Sequence, residues 1–394
     1  MVKLKSIKKK MLLAIALLLL MCIGGFFFVT PWLVERIYNQ TLQAPRYEPP
    51  ARVRSLHRQL FVVDLHADSL LWNRDLLRRN IYGNVDIPRL IEGGVALQAF
   101  TIVTKAPRGL NLETSEDNID NVTPLIIAQR WPFRTWNSLT ERALYQAHKL
   151  QDLADHSGGR LVLIKSATDL SRYLEGRQHE MQTVAAFLGV EGAHALDGRL
   201  ENLDVLFDVG VRMMAPTHYF DNEWGGSAQG VRKGGLTEKG RELIRRMEAR
   251  RMIVDLSHAS AQTINDVLSM ATRPVVVSHT GVKGTCNNSR NLGDEQLKAI
   301  AANGGIVGIG FWESATCGKD AHAIAHAIHY TADLIGIEHV GLGSDFDGAV
   351  TTPFDATGVV QITDALLAEG FTEDEVRMVM GGNELRFLLA NLPP

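Results

Sequence analysis

Short runs rich in Val, Ile, Leu and Phe recur along the chain, each followed by a polar or Gly-containing turn and then by apolar residues at helical spacing. Runs that stay apolar without alternating mark parallel strands covered on both faces. Eight such runs are read: Phe61–Leu65, Ala96–Val103, Thr183–Val190, Val211–Thr217, Met252–Leu256, Pro274–Ser278, Ile306–Phe311 and Val340–Ser344. Helices are predicted between many of them, among them Ser260–Met270 with its i, i+3, i+4 apolar stripe, Asp294–Asn303 and Ala321–Gly336. Eight strands separated by crossovers predict an α/β fold, a closed (β/α)8 TIM barrel. The crossover from Val103 to Thr183 breaks the rhythm: Lys105–Arg134 reads as a long loop and Ser138–His156 as a helix. An insertion after the C-terminal end of a barrel strand lies on the face where barrel sites form, so it is expected to wall or cover one.

The N-terminus follows a different pattern. Lys3, Lys5, Lys8, Lys9 and Lys10 precede an uncharged apolar run, Met11–Val29, which as a helix reaches about 28 Å, roughly the hydrocarbon thickness of a bilayer. Residues 1–10 are expected to form a cytoplasmic basic segment and 11–29 a transmembrane signal-anchor, with the remainder on the far, periplasmic or extracellular side. The alternative, a cleaved signal peptide, is disfavoured by the length of the run and the lack of an A-x-A site. Cys22 follows the bulky Met21 and does not suit lipidation. Residues 30–50, with Pro31, Pro45, Pro49 and Pro50, read as a linker, and 51–394 as the barrel domain. Cys286 and Cys317 would be free to pair in an oxidising exterior, whereas a cytosolic chain would keep them as thiols.

A length of 394 residues suits one large barrel, and the net charge of -3 with no basic stretch beyond the N-terminus excludes a nucleic-acid partner. A small-molecule partner remains, and the chemistry sits where the strands end. The first run closes on D-L-H-A-D, the third on G-V-E-G-A-H, the fifth on D-L-S-H, the sixth on V-S-H-T and the eighth on G-S-D-F-D-G. Any one of these polar ends reads as readily as a helix cap or a rim residue; five on strands that converge at one barrel mouth do not. His66 and Asp68, two apart in extended chain, project to one side and suit one metal ion. His258 and His279 suit a second, and Glu191 can lend an oxygen to each, a bridge that holds two ions ~3.5–4 Å apart. Mixed imidazole and carboxylate ligation favours two Zn2+, with Mn2+ or Co2+ as substitutes.

From about Leu56 to Leu392 the chain resembles the renal, or membrane, dipeptidase family of binuclear zinc peptidases, through those five motifs in order together with T-H-Y and N-S-R-N. The resemblance implies a metal-dependent hydrolase barrel with His66, Asp68, Glu191, His258 and His279 as metal ligands. It implies that His218 contacts the substrate and the oxyanion, that Arg290 receives the substrate's C-terminal carboxylate, and that Asp345 is the acid/base residue. It also supports a Cys286–Cys317 bridge. Members anchored by a C-terminal lipid differ from this chain, so anchoring is not carried over.

The implied roles agree with the residue types. Arg290 is a guanidinium fork suited to a carboxylate, although taken alone it would read as a surface or salt-bridge arginine. Asp345 stands at the eighth strand end, where it can take a proton from water and pass it to a leaving amine; Asp347 is the lesser candidate, a ligand-orienting or capping residue. His218, which taken alone reads equally as a rim residue, can donate to a developing oxyanion. His194 reads as a supporting residue, and His322, His326 and His329 as one helical face without a metal role. The expected function is zinc-dependent hydrolysis of dipeptides by a metal-bridged hydroxide, tolerating a D-residue at the C-terminal position, in a membrane-tethered chain that a homodimer would also suit. The alternatives are a related barrel amidohydrolase or phosphoesterase and a non-catalytic, membrane-tethered binding protein.

Overall fold

The computed structural model describes residues 2–42 (side chains from Ile7), 47–177 and 182–394. Eight parallel strands carry the fold: β1 Val62–Ala67, β2 Val95–Val103, β3 Val184–Glu191, β4 Val211–Met214, β5 Ile253–Val254, β6 Val276–Thr280, β7 Ile306–Ile309 and β8 Val340–Leu342. β1 to β5 pair in sequence order, as do β6 to β8. Two parallel bridges, Asp255↔Val276 and Ala67↔Phe346, join these two sheets at both edges and close the barrel. Each strand lies within a few residues of the run that predicted it, because every one is buried on both faces. The helices between them begin where the chain offers a cap: Ser260 accepts from Thr263 N ahead of Ala261–Met270, and Asp320 from Ala323 N ahead of Ala321–Ile335.

The barrel interior both packs and carries chemistry. Val63 and Leu65 face into it, in a cluster that takes side chains from β1 to β7 and is closed by Leu170 and Tyr173 of helix Ala167–Arg177 and Phe387 and Leu388 of helix Asn383–Asn391. The pairing of β1 with β2 shifts register between Asp64 and Ala67, and the polar residues there meet partners from other strands: Asp64 accepts from Ser344 N at 2.8 Å, and His66 Nδ1 lies 2.9 Å from Ser278 Oγ. The interior is tight here. A Cβ on Gly343 would come within 1.9 Å of Ser278 O, and one on Gly308 within 2.4 Å of the same atom, so β6, β7 and β8 approach closely only because these positions are glycine.

The insertion after β2 holds helices Val122–Ala128 and Leu139–His156 and a short strand, Leu161–Leu163, that pairs with the start of β3. That strand is too short to stand out as a run. Its loop reaches the strand ends: Ser115 N donates to Gln229 O at 2.6 Å, and Gln229 Nε2 donates to Asn111 O at 3.2 Å.

The N-terminal helix runs from Val2 to Phe28, and its Ile7–Phe28 stretch is long and apolar enough to cross a membrane. Part of the segment expected as a linker is fastened to the barrel. Thr30–Tyr38 is helical, buried Glu35 pairs with Arg74, and Gln40–Thr41 pairs in parallel with Thr351–Thr352. Pro31 sits in the first helical turn, where its missing N–H costs nothing, so the proline that suggested a linker begins a helix instead.

Candidate metal centre

Six strand ends deliver side chains to one point. Glu191, the last residue of β3, places Oε1 3.2 Å from His66 Nε2, 3.3 Å from His258 Nε2 and 3.5 Å from His279 Nε2. His66 Nε2 is 3.6 Å from Asp68 Oδ1 and 4.0 Å from Asp345 Oδ1. His218 Nε2 lies 2.9 Å from Glu191 Oε2. All of these residues are buried. Three overlapping groups have ligand atoms close enough to share an ion: His66–Glu191–His279, Glu191–His218–His258 and His66–Asp68–Asp345. His258 and His279, expected to share one ion, have their Nε2 atoms 3.0 Å apart but fall in different groups, and the geometry also brings in His218 and Asp345.

Whether a cation fits can be decided from the hydrogens. Ser278 Oγ has one hydrogen, and it goes to Asp255 Oδ2 at 2.6 Å. Its two lone pairs are then open to His66 Nδ1–H at 2.9 Å, His279 Nδ1–H at 3.1 Å and the Ser257 hydroxyl at 3.0 Å. His258 Nδ1 faces Gln229 Oε1 at 3.0 Å, an acceptor, so it too carries the hydrogen. Neutral imidazole has only one N–H; Gln229 draws it to Nδ1 in His258, and Ser278 offers an acceptor beside Nδ1 of His66 and of His279. The Nε2 atoms of all three rings converge on a carboxylate oxygen, and neither His66 Nε2 nor Glu191 Oε1 has a hydrogen-bond partner. Buried acceptors crowded together repel one another unless a positive charge lies among them. The residues fit a metal centre.

The surrounding charges are set by burial and by one another. Burial pushes the Asp345 carboxyl well above the ordinary range, and Asp68 and Glu191 add to this against His66 and Arg290. Burial also holds His258 and His279 well below the usual imidazole range, helped by the Arg290 guanidinium on both and by His66 on His279. For Glu191, burial acts upward, but His218 and His66 outweigh it and hold the carboxyl well below its ordinary value.

Arg290 is buried beside this cluster, donating from Nη2 to His279 O at 3.0 Å and from Nη1 to Thr280 Oγ1 at 3.3 Å. Asp345 adopts a left-handed backbone at φ 60°, as do Asp347 and Ala349, a conformation seldom taken by residues other than glycine. Asp347 holds this loop: its carboxylate accepts from Ser69 Oγ and Asn84 N, both at 2.6 Å, and pairs with Arg74, while Trp72 Nε1 donates to its carbonyl at 2.7 Å. It orients no ligand histidine and caps no helix; it fixes the turn that aims Asp345. The His194 ring lies parallel to that of His218 at 6.4 Å and against Phe220, outside the three groups. His322 and His326 are exposed, and His329 pairs with Glu369 and Asp333.

Ser278, Asp255 and Gln229 escaped the reading of the chain. Two of them stood inside motifs already singled out, D-L-S-H and V-S-H-T, where attention went to the histidines. The signal available was a Ser preceding a candidate ligand on a strand, the position that faces a neighbouring strand's carboxylate.

Over residues 50–391 the chain matches the family described as membrane dipeptidase (peptidase family M19). It belongs to this family. A dipeptidase of Aspergillus oryzae is 30% identical over 348 residues, covering 83% of this chain and 77% of that protein. A solved dipeptidase of the same metallopeptidase family is 26% identical, covering 85% of this chain and 100% of its own, with a TM-score of 0.70. A metallopeptidase from Rhodobacter sphaeroides, solved with a phosphinate mimic of the dipeptide L-Ala-D-Ala, is 26% identical over 84% of this chain and 99% of its own, with a TM-score of 0.68. The chain is thus a metal-dependent dipeptidase of family M19, and the cluster on Glu191 stands where its barrel strands end.

Proposed function

We propose that the chain hydrolyses dipeptides at a two-zinc centre, with His66, Asp68 and Glu191 holding one ion and Glu191, His258 and His279 the other. The observation that carries this reading is the convergence of three imidazole Nε2 atoms within 3.5 Å of one buried carboxylate oxygen that has no hydrogen-bond partner. Bound there, the ions would supply a Lewis acid and an activated water. The chain's own residues do the rest. Arg290 pairs the substrate's free carboxylate and thereby limits the length of peptide that fits. Asp345, whose carboxyl is pushed upward, takes the proton of the attacking water and delivers it to the leaving amine. His218 Nε2, beside Glu191 Oε2, donates to the developing oxyanion. The Rhodobacter sphaeroides relative accommodates an L-Ala-D-Ala mimic, which supports tolerance of a D-residue at the C-terminal position here.

The helix Ile7–Phe28 would anchor the chain, with residues 1–10 cytoplasmic and the domain 51–394 on the far side of the membrane. Trp32, Leu33 and Ile37 are exposed on the helix that follows, a composition suited to a membrane interface. A disulfide joins Cys286 to Cys317, in keeping with an oxidising compartment.

Dialysis against a chelator followed by zinc should switch dipeptide hydrolysis off and on. A dipeptide, its C-amidated form and a phosphodiester should be ranked in that order by rate; equal turnover of the amide would remove Arg290 from its role, and preference for the phosphodiester would replace the reading altogether. Arg290→Ala should mainly raise KM, whereas Glu191→Gln should also lower the metal content.

A further inference from the structure

A cavity of 520 Å³ opens beside the metal-ligand cluster, in the size range of sites for small ligands. Asp68, His218 and Tyr219 stand on its inner side, while Leu125 of the insertion and Val34 and Tyr38 of helix Thr30–Tyr38 stand on its outer side. The catalytic barrel therefore does not enclose this space alone. The segment that follows the apolar helix supplies a wall.

Three independent fastenings hold that wall. Glu35 is buried against Arg74, which reaches on to Asp347 in the turn that carries Asp345. Asn39 Oδ1 accepts from Ala349 N at 2.8 Å, in the same turn. The pairing of Gln40–Thr41 with Thr351–Thr352 adds a third, completed by Leu42 N donating to Thr352 O at 2.9 Å. Val34 packs against Leu71, Trp72, Val103 and Val122. A helix fixed at this many points is part of the site's architecture and holds its shape when a ligand enters.

We propose that helix Thr30–Tyr38 forms one wall of an apolar subsite that receives the side chain of the substrate's amino-terminal residue. The assignment rests on the proposed function above: Arg290, the residue given to the C-terminal carboxylate, does not line this cavity, whereas Asp68 and His218 do. A dipeptide held at Arg290 and crossing the metal cluster carries its other residue toward Val34. The lining there is mostly apolar, so it favours Leu, Met or aromatic side chains over Gly.

The test uses the full chain in detergent micelles or nanodiscs, with Gly-Ala, Leu-Ala and Trp-Ala as substrates. Val34→Trp fills the cavity and should raise KM for Leu-Ala at least tenfold more than for Gly-Ala. Val34→Ala enlarges it and should lower KM for Trp-Ala relative to Gly-Ala by about threefold or more. The two variants act in opposite directions, so the second decides should the first fail to fold. Equal KM changes across the substrates in Val34→Ala, with the wild type active, would overturn the subsite and leave the dipeptidase reading standing. A wild type that hydrolyses none of the three, with zinc restored, would overturn both.

Discussion

At the scale of single residues, the centre depends on hydrogens as much as on ligands. Ser278 gives its hydrogen to Asp255 and stands beside Nδ1 of both His66 and His279, so one hydroxyl holds both rings with Nε2 toward the cluster. Replacing such an outer partner typically weakens metal binding by about 10–100-fold. Ser278→Ala should therefore lower metal affinity to that extent, read by competition with a chelator, while Ser278→Thr, which keeps the hydroxyl, should retain most of it. An unchanged affinity in the alanine variant would mean that packing alone orients the two rings. Gly343 is a second such position, for a steric reason. Its α-carbon faces Ser278 O so closely that Gly343→Ala must push β8 away from β6; overpacking of this kind costs about 1–3 kcal/mol, measurable as a lower urea midpoint with the m-value preserved.

Among elements, the most consequential contact lies between the helix Thr30–Tyr38 and the turn after β8. Arg74 is the buried link, paired with Glu35 on one side and Asp347 on the other. Arg74→Met leaves both carboxylates buried without their cation, which should cost about 3–5 kcal/mol of stability; chemical denaturation of the full chain would show it, and a loss below about 1 kcal/mol would mean that water reaches these groups. Burial raises the Glu35 carboxyl from 4.5 to about 7, against the opposing pull of Arg74. Between those values the folded chain binds more protons than the unfolded one, so the contribution of Glu35 is fully present below pH 4.5 and is lost as pH rises through 7. The loss amounts to about 3 kcal/mol at 1.36 kcal/mol per unit. Glu35→Gln should flatten the stability profile over this window relative to the wild type, and parallel profiles would show that the helix does not bury this carboxyl in solution.

For the molecule as a whole, the covalent constraint sits near the site. The disulfide joins Cys286 to Cys317, 31 residues apart, and the loop it closes contains Arg290 and β7. A loop of that length implies about 3–4 kcal/mol of stabilisation through the unfolded chain. Reduction should lower the melting temperature, and because the barrel core is continuous without the bridge, the reduced chain should still fold and bind metal. Loss of all cooperative unfolding on reduction would contradict this.

The apolar runs, read with no partner in view, located all eight strands, because strands covered on both faces advertise themselves in composition. The motifs at their ends named five of the six side chains gathered with Glu191, all but His218, and the order of those motifs placed the chain in its family. What the chain could not show was anything carried between distant segments. Ser278 looks like any strand serine until Asp255 and His66 arrive from two other strands to join its neighbour His279 around it. Asp347 gave no sign that it would hold a strained turn, since its donors come from residues 69 to 85. The segment 30–50 that follows the apolar run, with its four prolines and little apolar periodicity, read as a linker because what holds its first part is a buried ion pair, a side-chain contact and a two-residue strand. Local periodicity reports what a segment buries; which atoms it meets there depends on closure of the barrel, and that was decided only by the tertiary structure.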